Sequence, residues 1–341
     1  QNPCNGGYAI CAGLEQVIEY VKGLNFTYED VDYLRSLGIF DEEFLHYLSG
    51  FHFSGDIYAI PEGSVIFPKE PLLKVVAPIM EAQLVETAIL NIINHQSLIA
   101  TKASRVVFAA AGDGIMEFGL RRAQGPDAGL YGARAAVIGG CVGTSNVLAG
   151  KLFDVPVLGT HAHSWIMSFP DEYTAFKAYA DLYPDNCTLL VDTYDTLKSG
   201  VPNAIRVFQE MRDAGVKLTR YGIRLDSGDL AYLSKKARKM LDEAGFEDAT
   251  IAASNDLDEY LLHDLKIQGA AITSWGVGTN LITSKDCPSF GGVYKLAAIK
   301  TEDGEFVPKI KLSENTEKIT NPGNKTIYRI YDKATGKIRA D

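Results

Sequence analysis

Beyond Ala111 the chain repeats one pattern as far as about residue 290: a short apolar run, a polar or glycine-containing motif, then in most cases a helical stretch. The apolar runs are Ile115–Phe118, Val155–Gly159, Thr188–Val191, Tyr221–Leu225, Thr250–Ala253 and Ile272–Trp275. Helical patterns such as NAIRVFQEMRDAG and LAYLSKKARKMLDEAG lie between them. Strands that alternate with helices predict a parallel sheet, open or closed into a barrel. In a barrel the C-terminal ends of the strands gather on one face, and the loops there carry the chemistry. The unusual residues of this chain all fall just after the apolar runs.

The flanks read differently. Gly13 to Val21 has a helical pattern, and Thr27 and Asp41 are N-caps for TYEDVDYLRSLG and DEEFLHYLSGF. GDIYAIPEGSVIFPKEPLLKVVAP alternates apolar and polar residues between Gly and Pro, which predicts short antiparallel strands. Ile79 to about Ala111 is one long helical pattern without Pro or Gly. From about Phe290, GGVYKLAAIKTEDGEFVPKIKLSE predicts a hairpin-rich segment with Asp303-Gly304 at a turn. Its resemblance in style to the early β segment predicts that it packs back there. The expected division is residues 1–85, with 290–341 added, as an α/β domain, and 86–289 as the domain carrying the active site.

The formal net charge of −10 gives no general attraction for nucleic acid or anionic membranes, so an anionic substrate needs a local cluster of donors. Cys4, Cys11, Cys141, Cys187 and Cys287 are scattered and odd in number, with no C-x-x-C spacing. A disulfide framework or structural zinc is not expected, and a reducing compartment, the cytoplasm, fits. No apolar run is long enough to span a membrane and no secretory signal is visible. The sequence begins at Gln1, without an initiator methionine.

Phosphate-loop and dinucleotide fingerprints are absent. Gly276-Val277-Gly278-Thr279-Asn280 could admit a phosphate to backbone N–H groups, or could be only a tight strand-to-helix turn. Gly159-Thr160-His161-Ala162-His163-Ser164 places two of six histidines at one strand end. These could titrate, act as a nucleophile or ligate a metal, or could be ordinary loop histidines. Asp192, in LVDTYDT, could orient a histidine, ligate Mg²⁺ or bind ribose hydroxyls, or merely cap the next helix. Arg224-Leu225-Asp226-Ser227-Gly228-Asp229 is the densest polar cluster, with an arginine suited to a carboxylate or phosphate. The plainer reading is a salt-bridged cap, with Asp229 starting the helix that contains Tyr232 to Leu241. Glu117-Phe118-Gly119-Leu120-Arg121-Arg122 suits a flat anionic ligand, or is plain surface. Ser254-Asn255-Asp256 would by itself be a cap for DLDEYLLHDL. Capping alone would not require Arg121, Arg224, His163 and Asp192 to converge.

EFGLRRAQGPDAG, GTSNVLAGKLFDVPVLGTHAHSWIMSF, LLVDTYDTLKSG, GIRLDSGDLAYLSKKARKMLDEAGF and SWGVGTNLITS closely resemble the nicotinate phosphoribosyltransferase family. The resemblance runs in order over essentially the whole chain. It implies the type II phosphoribosyltransferase architecture: an incomplete TIM-like barrel plus an α/β (α+β sandwich) domain, as a homodimer with the active site near the subunit interface. It implies joining of nicotinate to phosphoribosyl pyrophosphate, with Mg²⁺, and with ATP hydrolysis coupled through a phosphohistidine in NAD salvage.

By the same resemblance His163 is the phosphorylated histidine and Asp192 pairs with it. Thr160 and Arg224 match nicotinate-binding positions, and Phe118 stacks on the pyridine ring. Arg121, Asp226, Ser227, Gly228, Gly276, Gly278 and Thr279 match the region that holds phosphoribosyl pyrophosphate and phosphate, and Asn255 is grouped with them. His161 matches a variable position and is read as non-catalytic. No residue is assigned as a direct metal ligand. The family's early segment with an aspartate-leucine-tyrosine motif is missing, and its chains continue beyond the position of Asp341, so a fragment is expected. Three alternatives stay open: use of nicotinamide, a metal-dependent barrel hydrolase built on His161, His163 and Asp192, and a truncated product without turnover.

Overall fold

The structure, a computed structural model, describes residues 6–312, 319 and 321–341. Ser313 and Glu314, the end of the late β segment, lie outside them, as does Cys4. The chain forms two compact units, residues 1–94 with 289–341, and residues 95–288. The first boundary falls inside the helix Glu86–Ala109.

In the first unit, β1 (Ala9–Ile10) pairs antiparallel with β3 (Val65–Ile66), and β2 (Asp56–Ala59) with β4 (Leu73–Val76). Helices span Leu14–Gly23, Tyr28–Ser36 and Glu42–Ser49. Thr27 and Asp30 form a reciprocal capping box, and Asp41 accepts the Phe44 N–H at 2.8 Å. The apolar stripe of the first helix, Val17 and Val21, packs on Val85, Ile89, Ile92 and Ile93. The long helical pattern is two pieces, Ile79–Leu84 and Glu86–Ala109. They meet at Val85, whose N–H and C=O still bond Glu81 and Ile89.

The late segment forms two antiparallel hairpins, Ala298–Lys300 with Phe306–Pro308 and Ile330–Tyr331 with Ile338–Ala340. Gly304 turns the first with φ 88°, a left-handed conformation that favours glycine. The Tyr294 hydroxyl donates to the Ala82 carbonyl at 2.8 Å, and Lys74 Nζ to Asn324 Oδ1 at 2.8 Å.

The second unit holds a six-stranded, all-parallel sheet: β5 (Gly114–Glu117), β6 (Gly143–Thr144), β7 (Cys187–Leu190), β8 (Tyr221–Leu225), β9 (Thr250–Ala253) and β10 (Ser274–Val277), in the order β6-β5-β10-β9-β8-β7. That is chain order read around a ring, interrupted between β6 and β7. The sheet is therefore an incomplete TIM-like barrel.

β5 and β7 each lie one residue earlier than the runs Ile115–Phe118 and Thr188–Val191, and two further strand assignments differ by more than that from the sequence reading. Val155–Gly159 is not a strand; only Val157 forms a bridge, parallel to Thr144. The strand in that region is the two-residue β6, which carries too few apolar residues to signal itself. The last strand lies two residues later than Ile272–Trp275, because Ile272 is buried ahead of the ladder and Gly276 is inside it.

At the gap, the Leu190 N–H of edge strand β7 donates to His161 Nε2 at 3.2 Å. A side chain thus supplies the acceptor that a neighbouring strand would have given. The His161 ring is 8% exposed and meets the Tyr179 ring edge-on at 4.6 Å. Burial first, then the Arg224 charge and His163, push its pKa down from 6.5 to about 4.

Away from the strand ends, Lys102 Nζ lies 2.7 Å from Glu259 Oε2, and Arg105 Nε 3.1 Å from Glu259 Oε1. The side chains of Lys102 and Glu259 are 1% and 8% exposed. Removing one partner of such a pair strands the other charge, whereas removing both is far cheaper. Glu259→Leu should lower the unfolding free energy by about 3–5 kcal/mol. Adding Lys102→Met should recover most of that loss in denaturant titrations.

His161 gives a pH signature. The unfolded chain binds a proton on this ring below about pH 6.5, while the folded chain resists it until about pH 4. Its contribution is therefore full above pH 6.5 and lost as pH falls towards 4, on the order of 3 kcal/mol in all. His161→Gln keeps an acceptor for Leu190 and does not titrate. The stability advantage of the parent over this variant should shrink from pH 7 to pH 4, and a constant difference would refute the assignment.

Candidate active site

The parallel register places the C-terminal ends of the strands side by side: Leu190 opposite Arg224, Leu225 opposite Ala253, and Val277 opposite Glu117. Residues one or two positions further on are thereby neighbours, although they are distant in sequence.

His163 opens the short helix His163–Met167, and its Nδ1 lies 3.1 Å from Thr193 Oγ1. Its Nε2 faces two carboxylates, Asp226 Oδ2 at 3.6 Å and Asp192 Oδ1 at 3.9 Å. Both distances allow charge attraction but exceed hydrogen-bond length. The Asp192 side chain is 2% exposed. Its Oδ2 accepts the Asp226 N–H at 2.8 Å and the Ser227 hydroxyl at 2.7 Å, while Oδ1 is buried and has no partner. Asp192 therefore joins β7 to β8 and does not cap the following helical turn. Asp195 does that, accepting the Leu197 and Lys198 N–H groups.

Arg224 projects from β8, and its Nη1 donates to Thr160 Oγ1. Its Nε is buried and unpartnered, and among the described residues no carboxylate comes within ion-pair distance of its guanidinium. Burial holds its pKa below the ordinary arginine value, against the opposing pull of Asp226 and Asp192. A desolvated guanidinium without a carboxylate is costly unless a ligand completes it.

Asp226 Oδ1 accepts the Ser254 hydroxyl, which links β8 to β9. Beside Ser254, a Cβ on Gly276 would lie 2.5 Å from the Phe118 ring and 3.4 Å from the Ser254 Cβ. Gly276 is thus a strand residue that makes room for the Phe118 ring, not the turn the motif suggested. A continuous series of contacts runs from Phe118 through Gly276, Ser254, Asp226 and Asp192 to His163.

The remaining residues lie around this series. Gly228 has φ 78°, and Asp229 accepts the Tyr232 N–H at 2.9 Å as the cap of the helix Leu230–Glu243. Asn255 and Asp256 have φ values of 106° and 23°. Strained backbone of this kind is frequent at ligand sites. Neither they nor Ser254 caps the next helix, because Asp258 does. Asn280 Nδ2 braces the turn by donating to the carbonyls of Asp256 at 2.7 Å and Leu257 at 3.2 Å. Gly278 and Thr279 begin a single helical turn, whose first N–H groups have no partner within the helix. Arg121 and Arg122 stand exposed on the turn Leu120–Arg122, without an acidic partner among the described residues. The contacts do not bring Arg121, Asn255 or Thr279 against His163.

His161 does not join His163 in a metal site. Its Nε2 is taken by Leu190, and among the described residues no three His, Cys, Asp or Glu side chains are grouped to hold a metal. Sequence reasoning missed Thr193, Asn280 and Glu117, although each stood inside a quoted motif. Only Glu117 carried a signal, a charged residue in an otherwise apolar strand.

Comparison with known proteins now gives the family. Residues 1–94 match the nicotinate phosphoribosyltransferase N-terminal domain, and residues 114–326 match the nicotinate phosphoribosyltransferase family. The nicotinate phosphoribosyltransferase of Bacillus subtilis (strain 168) is 55% identical over 339 residues, spanning 99% of this chain and 68% of that protein. The human nicotinate phosphoribosyltransferase is 34% identical over 385 residues, spanning 96% of this chain and 70% of its own length. The crystal structure of human nicotinic acid phosphoribosyltransferase superposes with a TM-score of 0.71 at 32% identity, covering 80% of this chain and 66% of that one. Nicotinate-nucleotide pyrophosphorylase from Pyrococcus furiosus shares the fold with a TM-score of 0.68 at 22% identity, over 99% of this chain and 79% of that one. The chain thus spans about two thirds of the length of the nicotinate phosphoribosyltransferases it matches. With both family regions matched in order, and relatives this similar along nearly the whole chain, this chain belongs to the nicotinate phosphoribosyltransferase family.

Proposed function

We propose that this chain joins nicotinate to the ribose 5-phosphate of phosphoribosyl pyrophosphate, forming nicotinate mononucleotide and pyrophosphate, the entry of nicotinate into NAD salvage. The observation that carries the reading is Arg224: a half-buried arginine beside Thr160, whose Nε is buried without a hydrogen-bond partner and whose guanidinium has no carboxylate within ion-pair distance among the described residues. A flat aromatic carboxylate would complete it, with the Phe118 ring over Gly276 as the stacking surface. The same features favour the acid over its amide. Gly143-Thr144-Ser145-Asn146 carries no carboxylate, and nearby Glu117 is turned inward onto Thr144 and Gly119.

In this reading the pyridine nitrogen forms a bond to the anomeric carbon as the bond from that carbon to the pyrophosphate oxygen breaks. Arg121, Ser227, Gly228, Asn255, Gly276, Gly278 and Thr279 are the residues proposed to hold the phosphorylated substrate. The protein's part is to align the ring with the anomeric carbon and to offset the charge of the leaving pyrophosphate.

Mg²⁺ fits the donors present. Asp192 Oδ1 is buried without a partner, and Asp226 Oδ2 faces the same side of His163. Two carboxylates with phosphate oxygens and water make a typical magnesium shell. Bound there, the ion would neutralise charge on phosphate oxygens. His163 is the proposed site of phosphorylation by ATP, since its Nε2 opens towards this pair while Thr193 holds Nδ1. A phosphoryl group adds about −1.5 to −2 of charge at the site. The cytoplasm and a homodimer with the site near its interface complete the proposal.

Incubation with nicotinate, phosphoribosyl pyrophosphate and Mg²⁺ should yield nicotinate mononucleotide, more with ATP than without, and far less product from nicotinamide. His163→Ala should lose the ATP stimulation and the phosphoenzyme but keep ATP-independent turnover. Nicotinamide used as well as nicotinate would exclude the assignment of Arg224. Gly276→Ala, whose methyl group collides with the Phe118 ring, should raise KM for nicotinate about tenfold or more, the cost of a displaced aromatic contact. An unchanged KM in steady-state assays would remove Phe118 from the nicotinate site.

A further inference from the structure

Glu117 ends β5 and is 0% exposed, yet among the described residues no Lys, Arg or His pairs with it. Its Oε1 accepts the Gly119 N–H, and its Oε2 lies 2.6 Å from the Thr144 hydroxyl. Thr144 Oγ1 itself accepts the Asn146 N–H at 3.0 Å, so its single proton is directed to Glu117. Asn146 continues the network: Oδ1 accepts the Ala149 N–H at 3.2 Å, and Nδ2 donates to the Gly129 carbonyl at 3.2 Å. The backbone follows the same path, with Ser145 N–H donating to the Glu117 carbonyl at 3.0 Å and Phe118 N–H to the Val277 carbonyl at 2.8 Å.

A buried carboxylate without a counter-cation is an expensive way to fill space. What it supplies, and an apolar side chain cannot, is two acceptors fixed in direction. One holds the turn between Phe118 and Arg121, since Gly119 also accepts the Arg122 N–H at 2.8 Å. The other holds the loop at the end of β6. We infer that Glu117 is a positioning residue: its carboxylate ties the Phe118–Arg122 turn to the Thr144–Asn146 loop, fixing the surface that receives nicotinate. The inference rests on the function proposed above and names a residue that acts through Phe118 rather than touching substrate. Burial raises the Glu117 pKa, opposed by the Thr144 and Gly119 hydrogen bonds, so those bonds favour the ionised form.

The test uses Glu117→Gln, Thr144→Val and Thr144→Ser in the full chain, read by steady-state kinetics and by hydrogen exchange. Glu117→Gln keeps the shape but turns one acceptor into a donor. Thr144→Val removes both hydrogen bonds of the hydroxyl, the one donated to Glu117 and the one accepted from the Asn146 N–H, and Thr144→Ser restores them. Glu117→Gln and Thr144→Val should each raise KM for nicotinate about tenfold, with kcat within about twofold, and Thr144→Ser should match the parent. Amide exchange across residues 118–122 should quicken in the first two variants only. A drop in thermal midpoint with unchanged KM would make the role purely structural and overturn the inference, as would a fall in kcat alone. If the parent makes no nicotinate mononucleotide, the proposed function fails separately. The exchange measurement then still decides, because unchanged protection at 118–122 would overturn the tether.

Discussion

The parallel ladder is the constraint on which the rest of the structure depends. With Leu190 opposite Arg224 and Val277 opposite Glu117, the strand ends form one line, and each motif of the chain is delivered to its neighbours there. Parallel pairing leaves little freedom in this arrangement, because each strand must return through a crossover before it can pair again. The contacts from Phe118 to His163 run across five strand ends, those of β5, β10, β9, β8 and β7, and are made almost entirely by side chains one or two residues beyond the ladder.

An incomplete ring exposes two edges, and the chain closes part of the opening with His161. Its imidazole does the work of a backbone carbonyl for Leu190, which occupies Nε2. His163, two residues later, starts a helix and turns to the carboxylates of β7 and β8. The two histidines are chemically identical in sequence, and the backbone path between them assigns their roles. The same logic holds for the aspartates: Asp195, Asp229 and Asp258 cap helices, while Asp192 and Asp226 are drawn into the site.

The chain is acidic overall, yet its strand ends hold cations that lack a carboxylate within ion-pair distance among the described residues: Arg224 half-buried, and Arg121 and Arg122 exposed. Lys102 and Arg105, by contrast, both pair with Glu259. Unsatisfied polar atoms are rare in native interiors, and Arg224 Nε and Asp192 Oδ1 are two buried atoms without a hydrogen-bond partner on neighbouring strand ends. Local imbalance of this kind, rather than net charge, is what an anionic substrate meets.

Much of this was readable in the sequence. The strand-helix alternation gave the parallel sheet, because burial on both faces leaves short, continuous apolar runs between the helical patterns. The N-caps Thr27, Asp41 and Asp229 were legible because a cap bonds within three residues of itself. Long motifs carried the family, and with it Arg224, His163 and Asp192. Tertiary structure alone decided the rest. That Val155–Gly159 yields to a two-residue β6, that Gly276 sits under an aromatic ring, that His161 seals an edge and that Glu117 ties two loops all depend on partners distant along the chain. Such pairings leave no periodic trace along the chain, since the distance that matters is across the sheet and not along the sequence.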